Sequence, residues 1–307
     1  MKPDTRSFYE LAVRRAIARL VDGLDGAVDL TALAREAALS PLHFHHVFRG
    51  MVGETPLELH RRLRLERAAT QLVTTSTSVT TIAFAAGYET HESFTRAFRR
   101  AYATSPSELR AAARDRSAGD ERAACARPTP IELAAPSGVH YQGSALHFQP
   151  GATVMQATIQ TLPEMTVACV PHVGPYHQIG EAFGRLGQLA GPLFGVPGAM
   201  MVGIYHDNPD AVPATELRSD AGIAVPAGTA IPPQLVQTRL PAGRYVKATH
   251  LGPYDALGDA WAALLGGWIP QHGHRIATGP SFEVYRNTPM TAKPAELVTE
   301  LYVPIDD

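Results

Sequence analysis

Cysteine is nearly absent. Cys125 and Cys169 are the only two among 307 residues, too few for a disulfide framework or a cysteine-rich zinc site. Long apolar runs are missing as well. None approaches the roughly 18 residues that a bilayer-spanning helix needs. The first twenty residues lack the apolar stretch and small-residue end of a secretory signal. No membrane partner is therefore expected, and a reducing cytoplasm is the simplest compartment. The spacings GxSxG, HExxH, GxxxxGK[ST] and GxGxxG occur nowhere. Those absences remove the commonest hydrolase, metalloprotease and nucleotide sites, and no cofactor is expected.

What is present describes a globular chain. Apolar residues make up 45% and charged residues 18%, and 32.9 kDa is enough for two separate cores. The net charge of −2 is unevenly spread. Residues 1–116 carry 17 Lys/Arg against 13 Asp/Glu, whereas residues 150–307 carry 8 against 13. A basic first half suits a polyanion, and the acidic second half calls for a different partner.

Residues 6–113 read as short helices. Val13, Ile17, Leu20 and Val21 recur at helical spacing on one face. Ser40-Pro41, Thr55-Pro56 and Ser105-Pro106 each join a good N-cap to a residue suited to the first helical turn. A long helix is expected over about Pro56–Val73. On either side of it the same figure occurs: a short small-residue helix, a tight turn, then a polar helix. Leu33–Ala38 with Pro41–Met51 is the first copy, and Ile82–Ala86 with His91–Ala103 is the second. This is the pattern of two helix-turn-helix units, whose second helices fit a DNA major groove. An all-α bundle with solvated arginines shares the pattern.

The stretch LSPLHFHHVFRGMVGETPLELHRRLRLERAATQLVTTSTSVTTIAFAAGYETHESFTRAFRRAYATSPSELR resembles the DNA-binding domain of AraC/XylS-type transcription regulators. The likeness covers residues 6–113 and implies seven helices that read successive major grooves. It places Leu42, His45 and His46 on the base-facing side of the first recognition helix. On the second it places His91, Glu92, Thr95 and Arg96. Arg61, Arg62, Arg99 and Arg100 are the expected phosphate contacts, supplying affinity while the recognition helices supply specificity. Ala103 departs from the family, which usually has glycine before the Ser-Pro pair. His43 and His46 share a helix face with no third ligand in view, so no metal is expected.

Residues 114–150 are rich in Pro, Gly, Ala and Ser and read as a linker, with a short strand near Ser144–Phe148. Cys125 lies here as an ordinary thiol. Beyond it the chain repeats itself. HVGPYHQIGEAFGRL at 172–186 matches HLGPYDALGDAWAAL at 250–264, an offset of 78. GIYHDNP at 203–209 matches EVYRNTP at 283–289, and GIAVP at 222–226 matches ELYVP at 300–304. Each copy, about 153–226 and 235–305, reads as β-α-β-β. The expected chain is thus multidomain: an all-α double helix-turn-helix domain at 1–113, a linker at 114–150, and an α+β domain of two β-α-β-β repeats at 151–307.

The copies differ where a ligand would sit. Gly203 answers to Glu283, Gly222 to Glu300, Ala224 to Tyr302, and Phe183 to Trp261. A carboxylate among aromatic rings favours a hydrophobic cation. The paired H-x-G-P-Y turns, PSFEVYRNTP and ELYVPI resemble the GyrI-like effector-binding domain of drug- and stress-response regulators. That likeness covers about 153–305. It implies a ligand cavity holding Glu283, with Tyr285, Tyr302, Trp261 and Phe183 as aromatic neighbours. His172 and His250 are expected to shape the turns. The two halves together point to a regulator that binds promoter DNA, senses a small hydrophobic or cationic molecule, and works with RNA polymerase. No enzyme activity is expected. A glutamate-dependent hydrolase of small hydrophobic compounds and a protein-binding module are the competing readings of the second half.

Overall fold

The computed structural model describes residues 5–119, 139 and 155–306. Seven helices come first: α1 (Thr5–Asp22), α2 (Leu30–Glu36), α3 (Pro41–Val52), α4 (Pro56–Thr74), α5 (Val79–Ala85), α6 (His91–Tyr102) and α7 (Pro106–Gly119). α3, α4 and α7 start at the prolines of the Ser40-Pro41, Thr55-Pro56 and Ser105-Pro106 pairs. Thr55 caps α4 in a reciprocal box with Glu58, Ser78 caps α5 and Thr90 caps α6. Ser105 accepts from the Glu108 amide, and Glu108 accepts from the Ser105 amide in return. α7 runs to Gly119, past its expected end near Ala113. The strand expected near Ser144–Phe148 and Cys125 lie outside the described residues.

Both helix-turn-helix turns use one hydrogen-bond scheme. Leu39 N–H donates to Ala34 and Ala38 N–H to Arg35. Tyr88 N–H donates to Ala83 and Gly87 N–H to Phe84 in the same way. The pivot residue needs positive φ, which is +55° at Ala38 and +81° at Gly87. The following helix ends repeat the demand, with +85° at Gly53 and +56° at Ala103. Alanine is strained in this region by about 1–2 kcal/mol, while glycine loses more chain entropy on folding. Ala103→Gly is therefore expected to raise stability by about 0.5–1 kcal/mol, read as a higher urea midpoint at unchanged m. Gly87→Ala is expected to lower it, because a Cβ there would lie 2.3 Å from Arg64 Nη1.

The described chain divides into two compact units. One joins Arg14–Asp29 to the described residues from Val52 to 139. Its core packs Leu65, Ala68, Ala69 and Leu72 of α4 with Ile82 and Ala83 of α5 and Phe94 and Phe98 of α6. Arg64 donates to the Leu24 and Gly26 carbonyls and Arg67 to Asp25 and the Ala85 carbonyl, tying α4 to the turns beside it. The other unit joins the described residues up to Val13, Leu30–Met51 and the described residues from 155 onward. α2 and α3 thus group with the C-terminal sheet.

That sheet has eight strands: β1 (Ala157–Leu162), β2 (Met165–Val173), β3 (Met200–Tyr205), β4 (Arg218–Pro226), β5 (Val236–Leu240), β6 (Gly243–Leu251), β7 (Phe282–Tyr285) and β8 (Val298–Pro304). All pairings are antiparallel, in the order β1-β6-β8-β7-β3-β4-β2-β5. The β-α-β-β core of each repeat is present, and one further strand precedes it. β1 and β5 are exchanged: each pairs with the other repeat's strand, β1 with β6 and β5 with β2. The order reads symmetrically from both ends, so a pseudo-twofold axis passes between β3 and β7. One face of the sheet buries Val167, Cys169, Val202, Tyr245, Phe282 and Tyr302. The other carries α8 (Gly180–Leu189), packed through Ala182 and Leu186 on Ala168, Ala221 and Ile223. In the second repeat α9 (Leu257–Ala262) continues through a π-helical turn, Ala263–Trp268.

Candidate functional site

Alternation along β7 sends Phe282 and Val284 to one face and Glu283 and Tyr285 to the other, beside the helices. Glu283 pairs directly with Gly203 across the pseudo-twofold axis. Those two positions are equivalent in the repeat. One copy supplies the carboxylate and the other leaves the room for it. A Cβ at Gly203 would lie 2.7 Å from the Tyr285 hydroxyl.

Glu283 is 3% exposed. Trp261 Nε1–H donates to its Oε1 at 2.8 Å and the Tyr285 hydroxyl donates to its Oε2 at 2.6 Å. Tyr205 and Tyr285 hydroxyls meet at 2.9 Å. Around them Phe183 and Tyr254 set rings edge-on to Tyr285 at 5.4 and 5.5 Å, and Tyr176 sets its ring against Tyr205 at 4.8 Å. Burial pushes the Glu283 carboxyl above its usual range, against the hydrogen bonds from Tyr285, Trp261 and Tyr205. Burial, and then the Glu283 charge, pushes the Tyr285 hydroxyl well above 10. The site is built from repeat-related pairs: Gly203/Glu283, Tyr205/Tyr285, Phe183/Trp261 and Tyr176/Tyr254.

Glu283, Tyr285, Trp261 and Phe183 come together as the sequence implied. Tyr302 does not. It pairs with Phe282 in register, stacks on that ring at 4.9 Å, and so lies on the opposite face of the sheet. Its hydroxyl donates to Glu300, which Arg286 and Lys247 also hold. Burial pushes Glu300 up, but those cations outweigh it and its carboxyl lies below the usual range. Tyr205, Tyr176 and Tyr254 join the cluster beyond the residues that the resemblance implies. The signal for them was the repeat itself, which aligns each tyrosine with its partner. His172 and His250 each close their turn by a ring nitrogen against a proline carbonyl, Pro175 and Pro253.

The DNA-facing residues divide. On α6, Glu92, Arg96, Arg99 and Arg100 are exposed and His91 and Thr95 half-buried, while Phe94 and Phe98 anchor the inner side. Arg61 is exposed on α4. Arg62 is not: its side chain is 10% exposed and donates twice to Glu54 and once to Glu66. It is spent on holding the unit together, which corrects its reading as a phosphate contact. On α3, Leu42 is half-buried and His45 is 5% exposed, with Nδ1 3.5 Å from Asp210 Oδ2. His46 stacks on Trp261 at 6.0 Å, and burial holds its imidazole well below 6.5. His45 and His46 are not presented to solvent as a base-reading face would be, whereas Leu42 is half-buried as His91 and Thr95 are.

A helix-turn-helix fold beside a duplicated sheet with a buried carboxylate in an aromatic cluster defines a ligand-sensing transcription regulator. Residues 33–112 match the family described as helix-turn-helix domain, and residues 155–306 the GyrI-like small molecule binding domain. A DNA gyrase inhibitor of Yersinia enterocolitica is 34% identical over 134 residues, covering 42% of this chain and 84% of that protein. The HTH-type transcriptional regulator Rv1931c of Mycobacterium tuberculosis is 41% identical over 87 residues, covering 28% of this chain and 34% of that one. The crystal structure of the EcmrR C-terminal domain is similar at 23% identity, with a TM-score of 0.42 over 50% of this chain and 99% of that chain. The chain belongs to the GyrI-like family and carries a helix-turn-helix domain ahead of it.

Proposed function

We propose that the C-terminal part, 151–307, senses a lipophilic aromatic cation, and that the helices of 1–113 carry the response to promoter DNA across the connecting segment 114–150. One observation carries the choice of ligand. Glu283 is buried, and among the described residues the groups that hydrogen-bond its carboxyl are two phenols and an indole rather than a cation. A buried carboxylate without a positive partner is costly, and a delocalised cation among π faces supplies the missing charge at a low desolvation cost. Both carboxylate oxygens accept from fixed donors, an arrangement suited to holding charge rather than turning over a substrate. On DNA, His91, Glu92, Thr95 and Arg96 read bases, Arg61, Arg99 and Arg100 hold phosphates, and RNA polymerase is the partner at the promoter.

Glu283→Gln tests the reading. Calorimetric titration of the full chain with tetraphenylphosphonium is expected to show affinity at least about tenfold weaker in the variant, or about 1.4 kcal/mol. Neutral triphenylphosphine oxide is expected to change by less than about twofold. Equal weakening of both compounds removes charge pairing as the basis of recognition.

A further inference from the structure

We propose that the second repeat carries a docking surface for the chain's own first DNA-reading helix, so that α3 is withheld from the major groove until the ligand site rearranges. The second helix of a helix-turn-helix unit must lie bare to enter a groove. Here α3 is engaged along its length. His43 Nε2 meets the Ser281 hydroxyl at 2.8 Å, His46 stacks on Trp261, and Arg49 pairs with Asp259. His45 faces Asp210. The N-terminal end of α1 adds to the contact: the Tyr9 hydroxyl accepts from Ile276 N–H at 3.0 Å, and Arg275 lies 4.4 Å over the Phe8 ring.

The surface is shaped for this helix. A Cβ at Gly50 would lie 2.0 Å from the Ala262 carbonyl oxygen, and one at Gly266 would lie 2.6 Å from the Val47 carbonyl oxygen and 2.7 Å from the Gly50 Cα. Two glycines, each a poor choice inside a helix, are therefore required for the approach. The first repeat lacks the feature. The position equivalent to Gly266 is Gln188, exposed on a regular α-helix, whereas Gly266 sits buried in a π-helical turn. Such turns mark functional positions.

The link to the ligand rests on the reading given under the proposed function. Trp261 touches both partners. Its indole N–H holds Glu283, and its ring supports His46. A cation that takes over Glu283 competes with that indole and disturbs the seat of α3. Coupling of this kind is reciprocal, so DNA that captures α3 also favours the ligand.

The test uses full-length protein and two variants, Gly266→Ala and Gly50→Ala, each blocking the approach from one side. A duplex is enriched from a randomised pool with the Gly266→Ala protein. Both variants are expected to bind it at least tenfold more tightly than wild type and to exchange the amides of 41–52 faster. Gly184→Ala on α8, where an added Cβ meets nothing within 4 Å, is expected to behave as wild type. Unchanged exchange over 41–52 in both variants, or equal DNA affinity in all four proteins, overturns the proposal. If Gly266→Ala fails to fold, Gly50→Ala both enriches the duplex and decides, since alanine favours its helix. Tetraphenylphosphonium added to wild type is expected to speed exchange over 41–52 and tighten DNA binding. Its binding without that change overturns the link to the ligand. Its failure to bind overturns the cation reading and leaves the glycine variants to judge the docking.

Discussion

Arg62→Ala is expected to cost about 3–5 kcal/mol of stability, the penalty for removing one partner of a buried ion pair. Glu54 and Glu66 are 9% and 2% exposed, and Arg62 reaches both, at 2.7 Å and 2.9 Å. The bidentate hold on Glu54 uses the planar fork of the guanidinium, which an ammonium does not reproduce. Arg62→Lys is therefore expected to fall between wild type and alanine. Urea unfolding followed by circular dichroism reads the difference. The same variant separates the two roles assigned to this residue. If Arg62 touched phosphate, the salt dependence of DNA binding would weaken by about one unit in the log–log slope. The geometry predicts no change in slope for protein that remains folded. Arg61→Ala, one position away and exposed, is expected to show the opposite: little effect on stability, within about 0.5 kcal/mol, and a shallower slope. A large stability loss in Arg61→Ala, or a changed slope in Arg62→Ala, would reverse the assignment.

Gly203→Ala is expected to weaken tetraphenylphosphonium binding by at least about tenfold, or about 1.4 kcal/mol, and to cost about 1–3 kcal/mol of stability. The added methyl would lie 2.7 Å from the Tyr285 hydroxyl and 3.3 Å from the Tyr205 ring. Neither tyrosine can swing freely. The Tyr285 hydroxyl donates to Glu283 and meets that of Tyr205, while its ring is flanked by Phe183 and Tyr254. Relief requires breaking the hydrogen bond that supports the buried carboxylate, so fold and site suffer together. Gly184→Ala is the contrasting substitution. Its Cβ meets nothing within 4 Å, and alanine in a helix is favoured by up to about 1 kcal/mol. Thermal melting and calorimetric titration of both variants check the pair. Unchanged ligand affinity in Gly203→Ala would place the ligand away from the pseudo-twofold axis.

Much of the molecule is written locally. Caps at Thr55, Ser78, Thr90 and Ser105 start the helices because each side chain meets an orphan amide a few residues on, and such signals need no distant partner. The duplication, too, is plain in the residues, and with it the pairing of Gly203 with Glu283 and Phe183 with Trp261. Tyr205 and Tyr285 stood in the same alignment, but that their hydroxyls would meet depends on β3 and β7 lying side by side at the axis. Tyr302 was misplaced for a related reason. A residue's face follows from strand register, and register is set by the partner strand. Arg62 and Arg61 are neighbours of the same type, and only the packing of α4 decides which meets carboxylates and which meets water. The exchange of β1 and β5 between repeats lies beyond local signals as well, since each strand's mate is about 70–90 residues away. The sequence by itself determined the helices, the turns, the repeat and the two kinds of chemistry. The tertiary structure alone decided that α3 lies against the second repeat, because two glycine surfaces far apart in the chain complement one another only when folded together.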